Sequence, residues 1–391
     1  MYTVKLKKSA DAHIREGGAW VYANEVASIE SEKDDRNGAL AKVIYSDGSI
    51  AGYGYINHLS KILVRIMSRT KEAPDGDFIK NAIKRAWQYR LALGYENCCR
   101  VVFSEADELP GLIVDKYADL LCIQISTLGM DRRRNEIISA LTEIFSPRGI
   151  YERSDLPTRE KEGLCEFEGS VWGDFEPQTI IEENSLKLKV DLANGQKTGY
   201  FLDQKENRAA IRRYVSSESR VLDCFCNAGG FALNAAAAGA KEVFALDISK
   251  EALSMVEENA ALNGLTQVKT VECDVFRELR RLNKEGERYD LVVLDPPAFC
   301  KSRSELEDAK KGYLDINIQG MKLVRSGGYL VSSSCTRYMT FPLFEAMLKK
   351  AAALSGRQVK ILEMKMQSPD HPSPLGEEES LYLKFFIMQV I

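Results

Sequence analysis

The patterning of this 391-residue chain predicts an α/β protein: a doubly wound, Rossmann-like parallel sheet preceded by a small β-barrel and a middle α+β domain. Three observations carry that expectation. After Tyr200, short buried-strand runs alternate with helical stretches rich in Ala, Glu, Leu and Lys. The strand runs repeatedly end in an acid, as at Asp223, Asp247 and Asp295. Before residue 70 the chain instead offers strand-sized alternating runs broken by Gly and Asp. A 45% hydrophobic and 28% charged composition is ordinary for globular proteins and excludes fibrous or disordered chains. The length suits two or three domains.

Met1 to Lys8 alternates like a strand and lacks the apolar stretch of a signal peptide. No window approaches eighteen apolar residues, so a cytoplasmic protein with no membrane partner is expected. Ala41–Tyr45, Gly52–Tyr55 and Ile62–Ile66 read as barrel strands. Ala73-Pro74-Asp75-Gly76 reads as a linker, with Asp77 placed to cap a helix over Phe78–Leu93. Strands follow at Arg100–Phe103, Leu112–Asp115 and Leu120–Ile125, then a helix near Arg132–Ile144 and a strand at Ile150–Glu152. Ser185–Leu192 alternates cleanly, and Asn194-Gly195 behind it is a hairpin-turn signal. Val221–Asp223, Glu242–Asp247, Leu291–Asp295 and Gly328–Ser332 supply the parallel sheet. The expected domains are 1–70, 71–177 and 178–391, the last with a leading β-hairpin.

A net charge of -4 argues against a chain that is basic as a whole. Basic groups nevertheless recur: Lys61, Arg65 and Arg69; Lys80, Lys84, Arg85 and Arg90; Arg132-Arg133-Arg134; Lys205, Arg208, Arg212 and Arg213. They are either solvated helix faces or a discontinuous phosphate-contacting surface, and charge alone does not decide. Nine cysteines, an odd number without a secretory signal, read as reduced thiols. Three histidines are too few for a histidine-rich metal centre, so no metal is expected. Chemistry here must run on carboxylates, thiols or a cofactor.

The loop Asp223-Cys224-Phe225-Cys226-Asn227-Ala228-Gly229-Gly230-Phe231 closes one strand and opens an Ala-rich helix. Small residues let backbone approach a ligand, and a helix start offers N–H groups. The G-x-G-x-x-G spacing that seats a pyrophosphate is absent. A leading acid and a later glycine pair suit a cofactor without phosphates, whose charged amino-acid moiety meets Asp223. S-adenosylmethionine fits; NAD fits poorly. Asp247 can accept from both ribose hydroxyls, Asp274 from an adenine amine, and Val275 can cover the ring. Each acid alone could equally be a strand-end or capping residue.

Asp295-Pro296-Pro297-Ala298-Phe299 follows the next strand. Prolines remove N–H donors and fix carbonyl directions, which suits holding the amine of a nucleobase. Ser332-Ser333-Ser334-Cys335-Thr336 then places a thiol beside that turn. Carbon C5 of cytosine becomes nucleophilic only when something adds to C6, and a cysteine thiolate does this. Cys335 is the expected nucleophile and Cys300 its competitor.

These residues resemble the PUA-domain-containing bacterial ribosomal RNA large-subunit methyltransferases, the RlmI-like group that makes 5-methylcytosine. The resemblance runs through Gly18–Tyr22, Leu109–Asp115, Gly195–Gln204, Asp223–Phe231, Asp295-Pro296-Pro297, Ser334-Cys335 and Asp370-His371-Pro372. It implies a PUA barrel for RNA, a middle domain and a class I S-adenosylmethionine-dependent methyltransferase domain. It also implies catalytic roles for Cys335 and Asp295, and cofactor contacts at Gln204, Asp223, Cys226, Asn227, Gly229, Phe231, Asp247, Asp274, Val275 and Asp295. The implied partner is large-subunit ribosomal RNA; the sequence leaves the oligomeric state open, a homodimer being one option. RNA cytosine methyltransferases often carry a second cysteine after this proline turn, where this chain has Ala298. Two other readings stay open: N-methylation of a guanine or adenine on the proline turn, and a non-catalytic RNA-binding assembly factor.

Overall fold

The computed structural model describes residues 1–31, 36–300, 302–375 and 380–391. The chain divides into two compact units. One comprises Met1–Ile181, Val190–Leu202 and Pro369–Ser380; the other comprises Glu182–Lys189, Asp203–Ser368 and Leu381–Ile391.

In the first unit, β1 (Tyr2–Leu6), β2 (Trp20–Tyr22), β3 (Val26–Glu30), β4 (Leu40–Ile44), β5 (Ile50–Ile56) and β6 (Ile62–Ser68) form a six-stranded sheet ordered β2-β6-β5-β4-β1-β3. Alternation along β1 and β4 buries Val4, Leu6, Ala41 and Val43 on one face. A helix the periodicity did not announce, α1 (Lys8–Arg15), lays Ala10 and Ile14 on the same core. Glycine is required at position 54, where a Cβ would stand 1.9 Å from the Arg65 carbonyl oxygen of the neighbouring strand.

The helices α2 (Phe78–Ala92), α3 (Leu128–Asp131) and α4 (Arg134–Phe145) pack Ile79, Ile83, Met130, Ile137 and Leu141 into a second core. The sheet of that core runs β11-β10-β9-β8-β7, built from β7 (Cys98–Phe103), β8 (Leu112–Tyr117), β9 (Leu120–Ile125), β10 (Gly149–Ser154) and β11 (Phe167–Trp172). Asp77 does stand at the N-cap of α2, but its side chain makes no capping bond. Asn194-Gly195 is not the hairpin turn. The strands β12 (Gln178–Glu183) and β13 (Leu186–Asp191) pair across Asn184-Ser185 instead, where φ is +53° and +61°. Two consecutive left-handed residues are what a primed two-residue turn demands.

Several of the basic groups act as struts within the protein. Arg65 lies 3.3 Å from Glu105 and 3.2 Å from Glu162, buried Arg90 pairs with Asp107, and Arg134 pairs with Asp131 and Glu152. Arg133 bonds the Gly38 and Gly129 carbonyls, Arg69 those of Ile14 and Gly18, and Arg208 pairs with buried Glu183. Four of these six side chains are thus held in ion pairs and two by backbone carbonyls. Lys61, Lys84 and Arg132 are exposed.

The second unit carries β14 (Arg220–Cys224), β15 (Glu242–Asp247), β16 (Val268–Glu272), β17 (Tyr289–Leu294), β18 (Val324–Ser334), β19 (Val359–Lys365) and β20 (Lys384–Val390). Their order is β16-β15-β14-β17-β18-β20-β19, parallel from β16 to β18, with β20 antiparallel to both of its neighbours. Near-continuous apolar runs such as Tyr289–Leu294 suit strands covered on both faces. The helices are α5 (Lys205–Ala210), α6 (Gly230–Ala237), α7 (Lys250–Leu262), α8 (Val275–Glu285), α9 (Leu306–Leu323) and α10 (Phe341–Ser355). Chain order reverses between β14 and β17, and ligands of such sheets bind beyond the strand ends at that point. Among the described residues, no helix is long and apolar enough to cross a membrane.

Candidate active site

Cys224 pairs with Leu294 in register, so Asp223 and Asp295 stand at neighbouring strand ends at the point of reversal. Asp223 is wholly buried. Its Oδ2 accepts the Ala232 N–H of α6 at 2.8 Å, while its Oδ1, equally buried, has no hydrogen-bond partner among the described residues. Burial pushes this carboxyl well above the usual range, and nearby Asp295 and Asp247 push the same way. A ligand ammonium at Oδ1 would relieve both the orphaned acceptor and the crowding of negative charge. This donor set therefore fits the charged amino-acid end of S-adenosylmethionine.

The loop after Asp223 is wound through left-handed backbone. Phe225, Asn227 and Gly229 have φ of +62°, +47° and +81°. At Gly229 a Cβ would also meet Val256 Cγ1 and Cγ2 at 3.0 Å. The Cys226 N–H donates to the Leu246 carbonyl at 3.0 Å, which pins the loop to β15. Asp247 ends that strand and accepts the Asn227 N–H on Oδ2 at 2.9 Å and the Ser249 N–H on Oδ1 at 3.0 Å. Each oxygen keeps a lone pair for a ribose hydroxyl.

Three other expected cofactor residues also carry structural roles. Asp274 caps α8, accepting the Arg277 N–H at 3.2 Å, and is exposed. Phe231 stacks on Phe385 with ring centroids 5.9 Å apart, and Val275 joins the apolar cluster of Cys224 and Leu246. Both side chains pack into the core beside the loop.

Asp295 is held from two sides. Its Oδ1 accepts from Gln204 Nε2 at 2.9 Å and from the Ser333 hydroxyl of β18. Asn207 Nδ2 in turn donates to Gln204 Oε1 at 2.7 Å. Gln204 is thus a brace for Asp295. Two residues beyond Ser333, half-buried Cys335 leaves the end of β18. Tyr313 of α9 brackets it: the phenol accepts from Ser334 Oγ at 3.0 Å and shares a hydrogen bond with Thr336 Oγ1 at 2.8 Å. Burial raises that phenol to about 12, so it stays protonated. Cys300 is buried, which raises its thiol above the ordinary value. Partly buried Phe225, Phe276 and Phe299 cluster nearby, with Phe299 4.5 Å from the Tyr313 ring.

Sequence reading missed Ser333, Tyr313, Asn207 and Lys384. Lys384 did carry a signal: it is a lone cation inside the apolar run Leu383–Ile387. The other three are ordinary polar residues whose role appears only when strands align.

A family model described as an S-adenosylmethionine-dependent methyltransferase matches residues 161–374, and a PUA-like domain model matches residues 4–69. The ribosomal RNA large subunit methyltransferase I of Shewanella denitrificans is 38% identical, over 99% of both chains. Its namesake in Aeromonas salmonicida is 37% identical, over 99% of this chain and 98% of the other. A solved chain described as a methyltransferase complexed with SAH aligns with a TM-score of 0.83 at 20% identity, covering 99% of this chain and 100% of that one. The M. jannaschii tRNA m1G37 methyltransferase aligns with a TM-score of 0.51 at 20% identity, covering 82% and 80%. At such identities the two solved structures speak to the fold alone.

Proposed function

We propose, since this chain belongs to the ribosomal RNA large subunit methyltransferase I family of S-adenosylmethionine-dependent methyltransferases, that it forms 5-methylcytosine in large-subunit ribosomal RNA with Cys335 as nucleophile. The observation that carries this reading is the pairing of Asp295 with Ser333, which puts a braced carboxylate and the Cys335 thiol on adjacent strands. When bound, the cofactor supplies an electrophilic methyl group. Asp223 and Asp247 would hold it; Asp295 and the proline carbonyls would orient the base. Cys335 adds to C6 and makes C5 nucleophilic, then leaves when the C5 proton is lost. Residues 1–70 and 71–177 present the RNA, and 178–391 carry out the transfer in the cytoplasm. A homodimer is the accompanying expectation, read out by light scattering.

The test is nucleoside mass spectrometry of ribosomal RNA from cells with and without the protein. Loss of 5-methylcytidine at one large-subunit site supports the reading. Loss of an N-methylated purine instead replaces it with the rival chemistry, for which the proline turn suffices. Unchanged nucleosides leave the assembly-factor reading.

A further inference from the structure

Lys384 is 1% exposed, although a lysine is among the residues least often buried. It lies on β20 directly opposite Ser334, the residue before Cys335. Its Nζ donates to the Thr336 carbonyl at 2.7 Å and to the Tyr382 carbonyl at 2.6 Å. The ammonium is therefore fixed to the peptide on the far side of Cys335, one residue from the thiol. Two neutral carbonyls solvate a buried cation poorly unless an anion is near.

Among the described residues, these groups surround it. Cys335 comes from the end of β18, Cys300 from the segment after β17, Tyr313 from α9, and Asp295 faces Ser333. Arg337, two residues beyond Cys335, is exposed, and Glu305 acts on Cys300. Among the described residues, Cys335 and then Cys300 act on Lys384, each raising it in its anionic form. Burial outweighs them and lowers the ammonium to about 8, so it is mostly charged at neutral pH and discharges above it.

We propose that Lys384 is the positioning residue of Cys335, a fixed ammonium that holds this thiol in its thiolate form. The inference rests on the reading of Cys335 as nucleophile. On ionisation the S–H bond breaks, its electron pair stays on sulfur and the proton passes to water. The resulting anion then has a fixed cation at the peptide that follows it. The same charge stabilises sulfur when the S–C6 bond breaks and the pair returns to it. Cys300 gains less, because it is buried and acted on by Glu305.

The experiment follows iodoacetamide alkylation of Cys335 in the full-length protein between pH 5 and 10, resolved from Cys300 by peptide mass spectrometry. In the wild type the midpoint should fall below the ordinary thiol value of about 8.5. Lys384→Met should slow alkylation at pH 7 at least tenfold and move the midpoint up, with cofactor binding retained. Lys384→Arg should stay within threefold of wild type, because it keeps the cation. Wild-type reactivity in a folded Lys384→Met protein overturns the inference. Should that variant not fold, a wild-type midpoint at or above about 8.5 overturns it equally. Methylation by Cys335→Ser is the separate arm: activity there removes the nucleophile reading, whereas the alkylation profile speaks only to Lys384.

Discussion

Replacing Asp223 by asparagine keeps the shape of the side chain and an acceptor for the Ala232 N–H, but removes the charge. Two effects of opposite sign should follow. The first concerns the protein without cofactor. The folded carboxyl titrates well above its unfolded value of about 3.9, so its stabilising contribution is complete below that value. It is lost as pH rises through the raised folded value. Asparagine escapes that loss, so the variant should match wild type near pH 4 and equal or exceed it in stability at pH 7–8. The second effect concerns ligand binding. An ammonium facing Oδ1 loses one charge-assisted hydrogen bond, about 1.5–3 kcal/mol, or about 10- to 150-fold in Kd. Calorimetric titration with S-adenosylmethionine, beside thermal melts from pH 4 to 8, reads both effects. Unchanged affinity would refute the assignment of Asp223. Lost affinity with a destabilised apoprotein would mean that the carboxylate only supports the loop.

Asp247→Ala removes the acceptors of two backbone amides as well as those offered to a ribose, and should weaken cofactor binding by about 2–4 kcal/mol in the same titration. Asp115→Ala leaves buried Arg100 without the carboxylate that takes two bonds at 2.8 Å, so urea denaturation should show a loss of about 3–5 kcal/mol. If Lys61, Lys84 and Arg132 contact phosphates, RNA affinity should fall steeply with salt. Reversing all three charges should flatten the slope of log K against log salt by up to about 2.7, while cofactor affinity holds.

What could be read in advance follows from burial. Helices α2 and α4 and strands β8 and β9 put apolar residues on one side or both, and their periodicity located them. Strand β11 has no buried residue and α1 spans only eight residues, so neither leaves a strong pattern. The acids at the ends of β14, β15 and β17 were legible because a parallel sheet aligns strand ends whatever the loops between them do. Side-chain direction was not. Phe231 and Val275, beside the loop, are both buried, which their place in the chain did not reveal. The pairing of Lys384 with the end of β18 depends on β20 inserting antiparallel between β18 and β19, a topological step that no local window encodes.

Cysteine-dependent carbon methylation is tested most directly by RNA carrying 5-fluorocytosine at the target nucleotide. Fluorine cannot leave as the C5 proton does, so a thiol that has added to C6 stays attached. Wild-type protein with cofactor should form a stable RNA adduct that peptide mass spectrometry maps to Cys335. Cys300→Ser should still form it, and Cys335→Ser should not, although both retain cofactor binding. An adduct on Cys300 would contradict the assignment of the nucleophile, and methylation of unmodified RNA with no adduct on the fluorinated one would contradict carbon methylation altogether.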